Sequence, residues 1–131
     1  MKRIINTNDA PKALATYSQA IEINGMLFIS GQIAIDPGTG KLVEGGIHEQ
    51  TQQVMKNIGA ILKEAGYEFK DVIKTTCILS DMNNYSAMNT IYGSFYPVNA
   101  PSRAAFAALG LPMGALVEIE TVACLDVTRN V

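Results

Sequence analysis

The chain is 131 residues long, 48% hydrophobic, and carries 10 Lys and Arg against 12 Asp and Glu, a formal net charge of −2. That length fits one domain over residues 1–131, with an apolar share typical of a packed protein and too high for a disordered one. The acidic balance, with no basic run beyond Lys2-Arg3, excludes binding to a phosphate backbone by bulk electrostatics, so nucleic acid is not the expected partner.

At the start, Ile4 and Ile5 give way at once to Asn6-Thr7-Asn8-Asp9, so no apolar core of a secretory signal is present. No stretch approaches the ~20 apolar residues that a membrane span needs. The expectation is a soluble, cytoplasmic protein without membrane contact. "SQAIEINGMLFISGQI" (18–33) then sets two apolar runs around Asn24-Gly25, the pair favoured in a two-residue type I′ hairpin. "DPGTGK" (36–41) is a turn cluster that ends the second strand. Ile47, Thr51, Val54, Met55, Ile58, Ile61, Leu62 and Ala65 recur at helical steps, and Gly66 stops the helix. "DVIKTTCILS" (71–80) is β-branched and reads as a strand. Met88, Ile91, Tyr92 and Phe95 form the stripe of a second helix that Pro97 ends. Residues 103–109 and 116–127 read as two last strands. The order predicts an α+β layer fold, one mixed sheet with two helices on one face. Cys77 and Cys124 each fall in an apolar strand and read as buried, reduced thiols.

The strands are apolar on both faces. In the last one, Val117, Ile119, Ala123 and Leu125 alternate with Leu116, Glu118, Glu120, Val122 and Cys124. In the second hairpin strand, Leu27, Ile29 and Ile33 alternate with Met26 and Phe28. Two helices cover one face of a sheet, so the other predicts a homo-oligomer in which second faces pack together.

The chemistry is sparse. His48 is the one histidine, at the start of the first helix, and neither a metal-ligand cluster nor a nucleophilic triad can be assembled around it. "PGTGK" fails the phosphate-loop pattern because Leu42 stands where a Ser or Thr should follow the lysine. What remains is a small polar set: Arg103, Glu118, Glu120, Ser30 beside Gly31, Asn89, and Tyr17. Arg103 reads either as a structural ion-pair partner or as a two-pronged grip on a ligand carboxylate. Glu118 reads either as a solvated edge residue or, in its apolar strand, as a partly buried base. Gly31 allows a ligand to come close to the backbone.

Several co-linear segments resemble the RidA/YjgF family of reactive intermediate deaminases. The C-terminal signature stands here as Pro101-Ser102-Arg103, Leu111-Pro112 and Glu118-Ile119-Glu120, and "YSQAI" (17–21), "ISGQI" (29–33) and "NTIYGSFY" (89–96) match in order. The resemblance covers essentially the whole chain. It implies a chorismate-mutase-like fold and a homotrimer whose sheets form a central barrel with a site in each subunit cleft. It implies hydrolysis of 2-imino acids and their enamine forms (2-aminoacrylate, 2-iminopropanoate, 2-iminobutanoate) to 2-keto acids and ammonia, with neither cofactor nor metal. By resemblance Arg103 grips the substrate carboxylate and Glu118 positions water. Tyr17, Ser30, Gly31 and Asn89 line the cleft. Two places depart from the pattern: Ala15-Thr16 replaces a frequent Gly-Pro before Tyr17, and Ala105 replaces a cysteine of some relatives. The alternative within this superfamily is a non-catalytic ligand-binding, regulatory or chaperone-like module, or a translation inhibitor acting on RNA.

Overall fold

The computed structural model describes residues 1–125. A six-stranded sheet runs in the order β1 (Arg3–Ile5), β2 (Ala20–Ile23), β3 (Met26–Gln32), β8 (Val117–Cys124), β6 (Val72–Leu79) and β7 (Ser102–Ala107). Only β6 and β7 pair in parallel, so the sheet is mixed. Helices α1 (Ile47–Ala65) and α2 (Tyr85–Phe95) pack against each other, with α1 lying on β3 and β8. This is the α+β arrangement that the order of elements predicted.

The local signals translate directly. Asn24 and Gly25 both take positive φ, 51° and 76°, as a type I′ turn demands. Gly66 ends α1 in the left-handed conformation, with its N–H on the carbonyls of Leu62 and Lys63. The α1 stripe from Thr51 to Ala65 is buried, as are Met88, Ile91 and Tyr92 on α2. Leu27, Ile29, Leu79, Val117, Ile119 and Ala123 complete that core from the sheet side.

Other expectations shift. "DPGTGK" does not simply end a strand; it joins β4 (Ile35–Asp36) to β5 (Lys41–Leu42), a separate two-stranded ribbon. The Asp36 carboxylate accepts from the Gly38 N–H at 2.8 Å, and that side-chain bond forms the turn. β7 stops at Ala107, not 109, and β8 stops at Cys124; residues 126–127 of the expected last strand lie outside the described residues. β1 was hidden because three residues carry too little periodicity to register. Cys124 is half-buried, not buried, because it sits on the sheet face away from the helices; Cys77 is fully buried, and both thiols are free.

The most consequential shift is a bulge in β3. Ile29 pairs with Thr121 and Gln32 with Ile119, so three steps on β3 span two on β8. The extra residue reverses the alternation. Gln32 is therefore buried beside Ile29, and Ile33 leaves the face on which strict alternation had placed it. Two buried amides fix this region. Asn57 on α1 donates to the carbonyls of Ile33 (3.2 Å) and Ile35 (3.0 Å). Gln19 donates to the carbonyls of Thr7 and Pro11 at 2.9 Å and accepts from the Thr7 N–H at 2.7 Å, which closes the loop that carries Tyr17.

Candidate functional site

Residues paired across neighbouring strands point to the same face. Arg103 pairs with Thr75, and Thr75 with Thr121, so all three point to the side of the helices. There α2 meets the arginine with Tyr85, Asn89 and Tyr92, three residues on one helical stripe at four- and three-residue steps. Arg103 Nη1 donates to Asn89 Oδ1 at 2.7 Å, and Nη2 donates to the Tyr85 hydroxyl oxygen at 2.5 Å. The guanidinium carbon lies 4.9 Å from the Tyr92 ring centroid and 5.4 Å from that of Tyr85, both within cation–π range. Tyr92 is held in turn by Thr75, hydroxyl to hydroxyl at 2.6 Å. A cleft of about 340 Å³ opens here, lined by Asn89, Tyr92, Tyr96, Pro101 and Arg103.

Every partner of Arg103 is neutral. The two ion pairs among the described residues are Arg3–Glu22 and Lys70–Glu68, so the ion-pair reading of Arg103 is not what the structure contains. A fixed cation with N–H groups to spare is suited to an anionic ligand. Behind it, burial pushes the Cys77 thiol up to about 11 despite the nearby guanidinium, which leaves that thiol protonated and unreactive.

Glu118 points the other way. It pairs with Ile78, on the face away from the helices, next to Glu120 opposite Thr76. Burial, and secondarily the charge of Glu120, raise its carboxyl above the ordinary carboxylate value, which suits a proton acceptor. Its carboxylate lies over Gly31 in the β3 bulge: a Cβ on Gly31 would stand 2.6 Å from Glu118 Oε2. The space at Gly31 is thus taken by this side chain. Ser30 donates its hydroxyl to the Ser18 carbonyl at 2.6 Å, and its N–H to the Gln19 carbonyl at 3.0 Å. That pairing brings the segment carrying the exposed Tyr17 to the same end of β3.

The predicted residues therefore form two groups. Asn89 and Arg103 stand together, as do Ser30, Gly31 and Glu118, with Tyr17 on the adjoining segment. Within one chain the groups do not meet. Arg103 and Glu118 are on opposite faces, two strands and three residues apart in register, on the order of 14 Å between Cα atoms. Sequence reasoning missed Tyr85 and Tyr92 as partners of the arginine, although the Tyr-x-x-x-Asn-x-x-Tyr spacing from 85 to 92 carried the signal. His48 is exposed on the first turn of α1, and no group of three or more potential metal-ligating side chains occurs among the described residues.

These features define a small α+β protein on one mixed sheet, with an arginine that has no charged partner among the described residues on the helix side and a carboxylate pair on the other. The family model described as Endoribonuclease L-PSP matches residues 7–125. The chain belongs to this family, the RidA/YjgF proteins that its motifs resemble. A human relative, 46% identical over 94% of this chain and 90% of its own length, is a 2-iminobutanoate/2-iminopropanoate deaminase. Among solved structures, YyfA of the conserved Rid protein family from Yersinia pestis is 46% identical with a TM-score of 0.93, covering 95% of this chain and all of its own. Escherichia coli TdcF with bound serine is 31% identical with a TM-score of 0.91, covering 95% of this chain and 99% of its own.

Proposed function

We propose that the protein hydrolyses 2-imino acids to 2-keto acids and ammonia as a homotrimer, with each site made from the Arg103 group of one protomer and the Glu118 group of another. The observation that carries this is Arg103, held by three side chains of α2 and left without a charged partner among the described residues. A guanidinium so fixed offers a bidentate grip on the carboxylate that every 2-imino acid carries. The human relative's named activity and the serine bound to TdcF, itself a carboxylate, agree with it.

The chemistry then needs little. Arg103 and Asn89 orient the substrate, with C2 presented to the carboxylate side of the site. Glu118 takes a proton from water as the water oxygen bonds to C2 and the C=N double bond becomes single. The proton passes to nitrogen; the new C2 hydroxyl then gives up its own proton, again by way of Glu118 to the nitrogen, as the C–N bond breaks, and ammonia leaves a C2 carbonyl. General base catalysis of this kind contributes typically 10²- to 10⁴-fold. The face that carries Glu118 also exposes Phe28 and Phe106, 46% and 47% accessible, with Ile4, Ile21 and Val122 between and around them. An apolar face of that kind supports association through the second faces of the sheets.

The test is pyruvate release from 2-aminoacrylate generated in solution. The wild type should accelerate it, and Arg103→Lys, which keeps the charge but loses the planar fork, should raise KM about tenfold or more. A wild type with no effect on pyruvate release overturns the reading. The family description names an endoribonuclease, but a net charge of −2 gives this chain no cationic excess for an RNA backbone.

A further inference from the structure

The Arg103 cluster contains a hydroxyl that the proposed chemistry does not use. Arg103 Nη2 donates to Tyr85 Oη. A guanidinium has only donors, so the tyrosine oxygen must be the acceptor and its own O–H is unspent. No acceptor for that O–H stands within hydrogen-bond reach among the described residues. The other tyrosine of the cluster differs: the Tyr92 hydroxyl is engaged with Thr75 and buried. Tyr85 is half-buried at the first turn of α2, four residues before Asn89 and on the same stripe, with its ring against the guanidinium.

We infer that Tyr85 is a binding and specificity-determining residue: its O–H is a third donor to the ligand carboxylate, beside the two-pronged grip of Arg103. This rests on the deaminase reading of the same site. Of the five guanidinium N–H groups, Asn89 and Tyr85 take one each and the Cys77 sulfur lies within reach of another, which leaves two for a two-pronged edge toward a ligand. A carboxylate seated on that edge brings one oxygen beside Nη2, where the Tyr85 hydroxyl also sits. An ionised carboxylate has about four lone-pair sites and accepts all three hydrogen bonds. A carboxamide presents an NH2 group to one of the same donors and is rejected. The hydroxyl therefore selects free 2-keto and 2-imino acids over their amides.

Tyr85→Phe removes the hydroxyl and keeps the ring. In the purified protein, pyruvate should bind about tenfold more weakly, the worth of one hydrogen bond to a charged group, whereas pyruvamide binding should not weaken. KM for the imino acid should rise about tenfold with kcat within about twofold. Unchanged pyruvate affinity overturns the assignment. So does an equal loss for pyruvate and pyruvamide, because that is the mark of a ring that merely props Arg103. If Tyr85→Phe folds poorly, Tyr85→Met read by the same pyruvate-to-pyruvamide ratio decides it. A wild type that neither releases pyruvate from 2-aminoacrylate nor binds pyruvate overturns the deaminase reading itself. A wild type that does both, with a Tyr85→Phe variant indistinguishable from it, overturns only the role of Tyr85.

Discussion

Arg103 shows how much of a residue's meaning lies in its neighbours. On the page of sequence it is a lone cation before an alanine-rich run; in the fold it reaches from β7 to α2, with two aromatic rings, one amide oxygen and one phenol oxygen for company. The same enclosure acts on what lies behind it. Burial raises the Cys77 thiol to about 11 and also raises the Tyr92 and Tyr96 phenols. The sign of the consequence is fixed. A folded-state value above the unfolded one means the native protein keeps its proton while the unfolded chain gives it up. The contribution is therefore fully present below the unfolded value, about 9 for the thiol, and is lost as pH rises through the raised folded values. Urea midpoints should hold steady from neutral pH to about 9 and then fall, and Cys77→Ser should fall less steeply. A wild type and Cys77→Ser variant with the same alkaline slope would show that Cys77 does not titrate in the fold as proposed.

At the scale of elements, the β3 bulge does the positioning. One extra residue opposite Glu120 turns Gln32 inward and gives Glu118 the open space over Gly31. Asn57 secures the strand just beyond it, reaching from α1 to two carbonyls and taking a hydrogen bond from Gln53 at 2.9 Å. Asn57→Ala leaves both carbonyls of that turn without this partner in a buried place. The expected cost is about 2 kcal/mol or more, measured by urea unfolding with unchanged m-value. Asn57→Leu should be no better, because size alone does not restore the bonds. A loss below about 0.5 kcal/mol would mean that water replaces the amide freely.

For the whole molecule, the separation of Arg103 from Glu118 on opposite faces is decisive, because a single protomer cannot bring both to one small ligand. In the proposed trimer each protomer supplies the arginine to one site and the glutamate to the next. Arg103→Lys and Glu118→Gln, each impaired alone, should then complement when mixed and reassembled, with about one quarter of wild-type sites restored by random mixing. Light scattering should give about three times the 14.1 kDa of the chain. A monomeric active enzyme, or mixtures no more active than their parents, would place both residues in one protomer's site and overturn the shared cleft.

Elements that rest on local physics can be read from the order of residues. Asn24-Gly25 dictates its turn through positive φ, the α1 stripe dictates a buried helical face by its period, and Gly66 dictates the stop. Arg103 and Glu118 also stood out early, because charge in an apolar run is costly without a purpose. The rest depends on contacts between segments far apart in the chain. A bulge is an excess of one residue in a pairing, and pairing belongs to two strands at once, so nothing within 29–33 announces that Ile33 will turn away. The partners of Arg103 come from residues 14 and 18 positions earlier, brought close only when α2 lies on β7. The faces of Arg103 and Glu118 follow from the register of three adjacent strands, a long-range quantity that alternation within one strand does not contain.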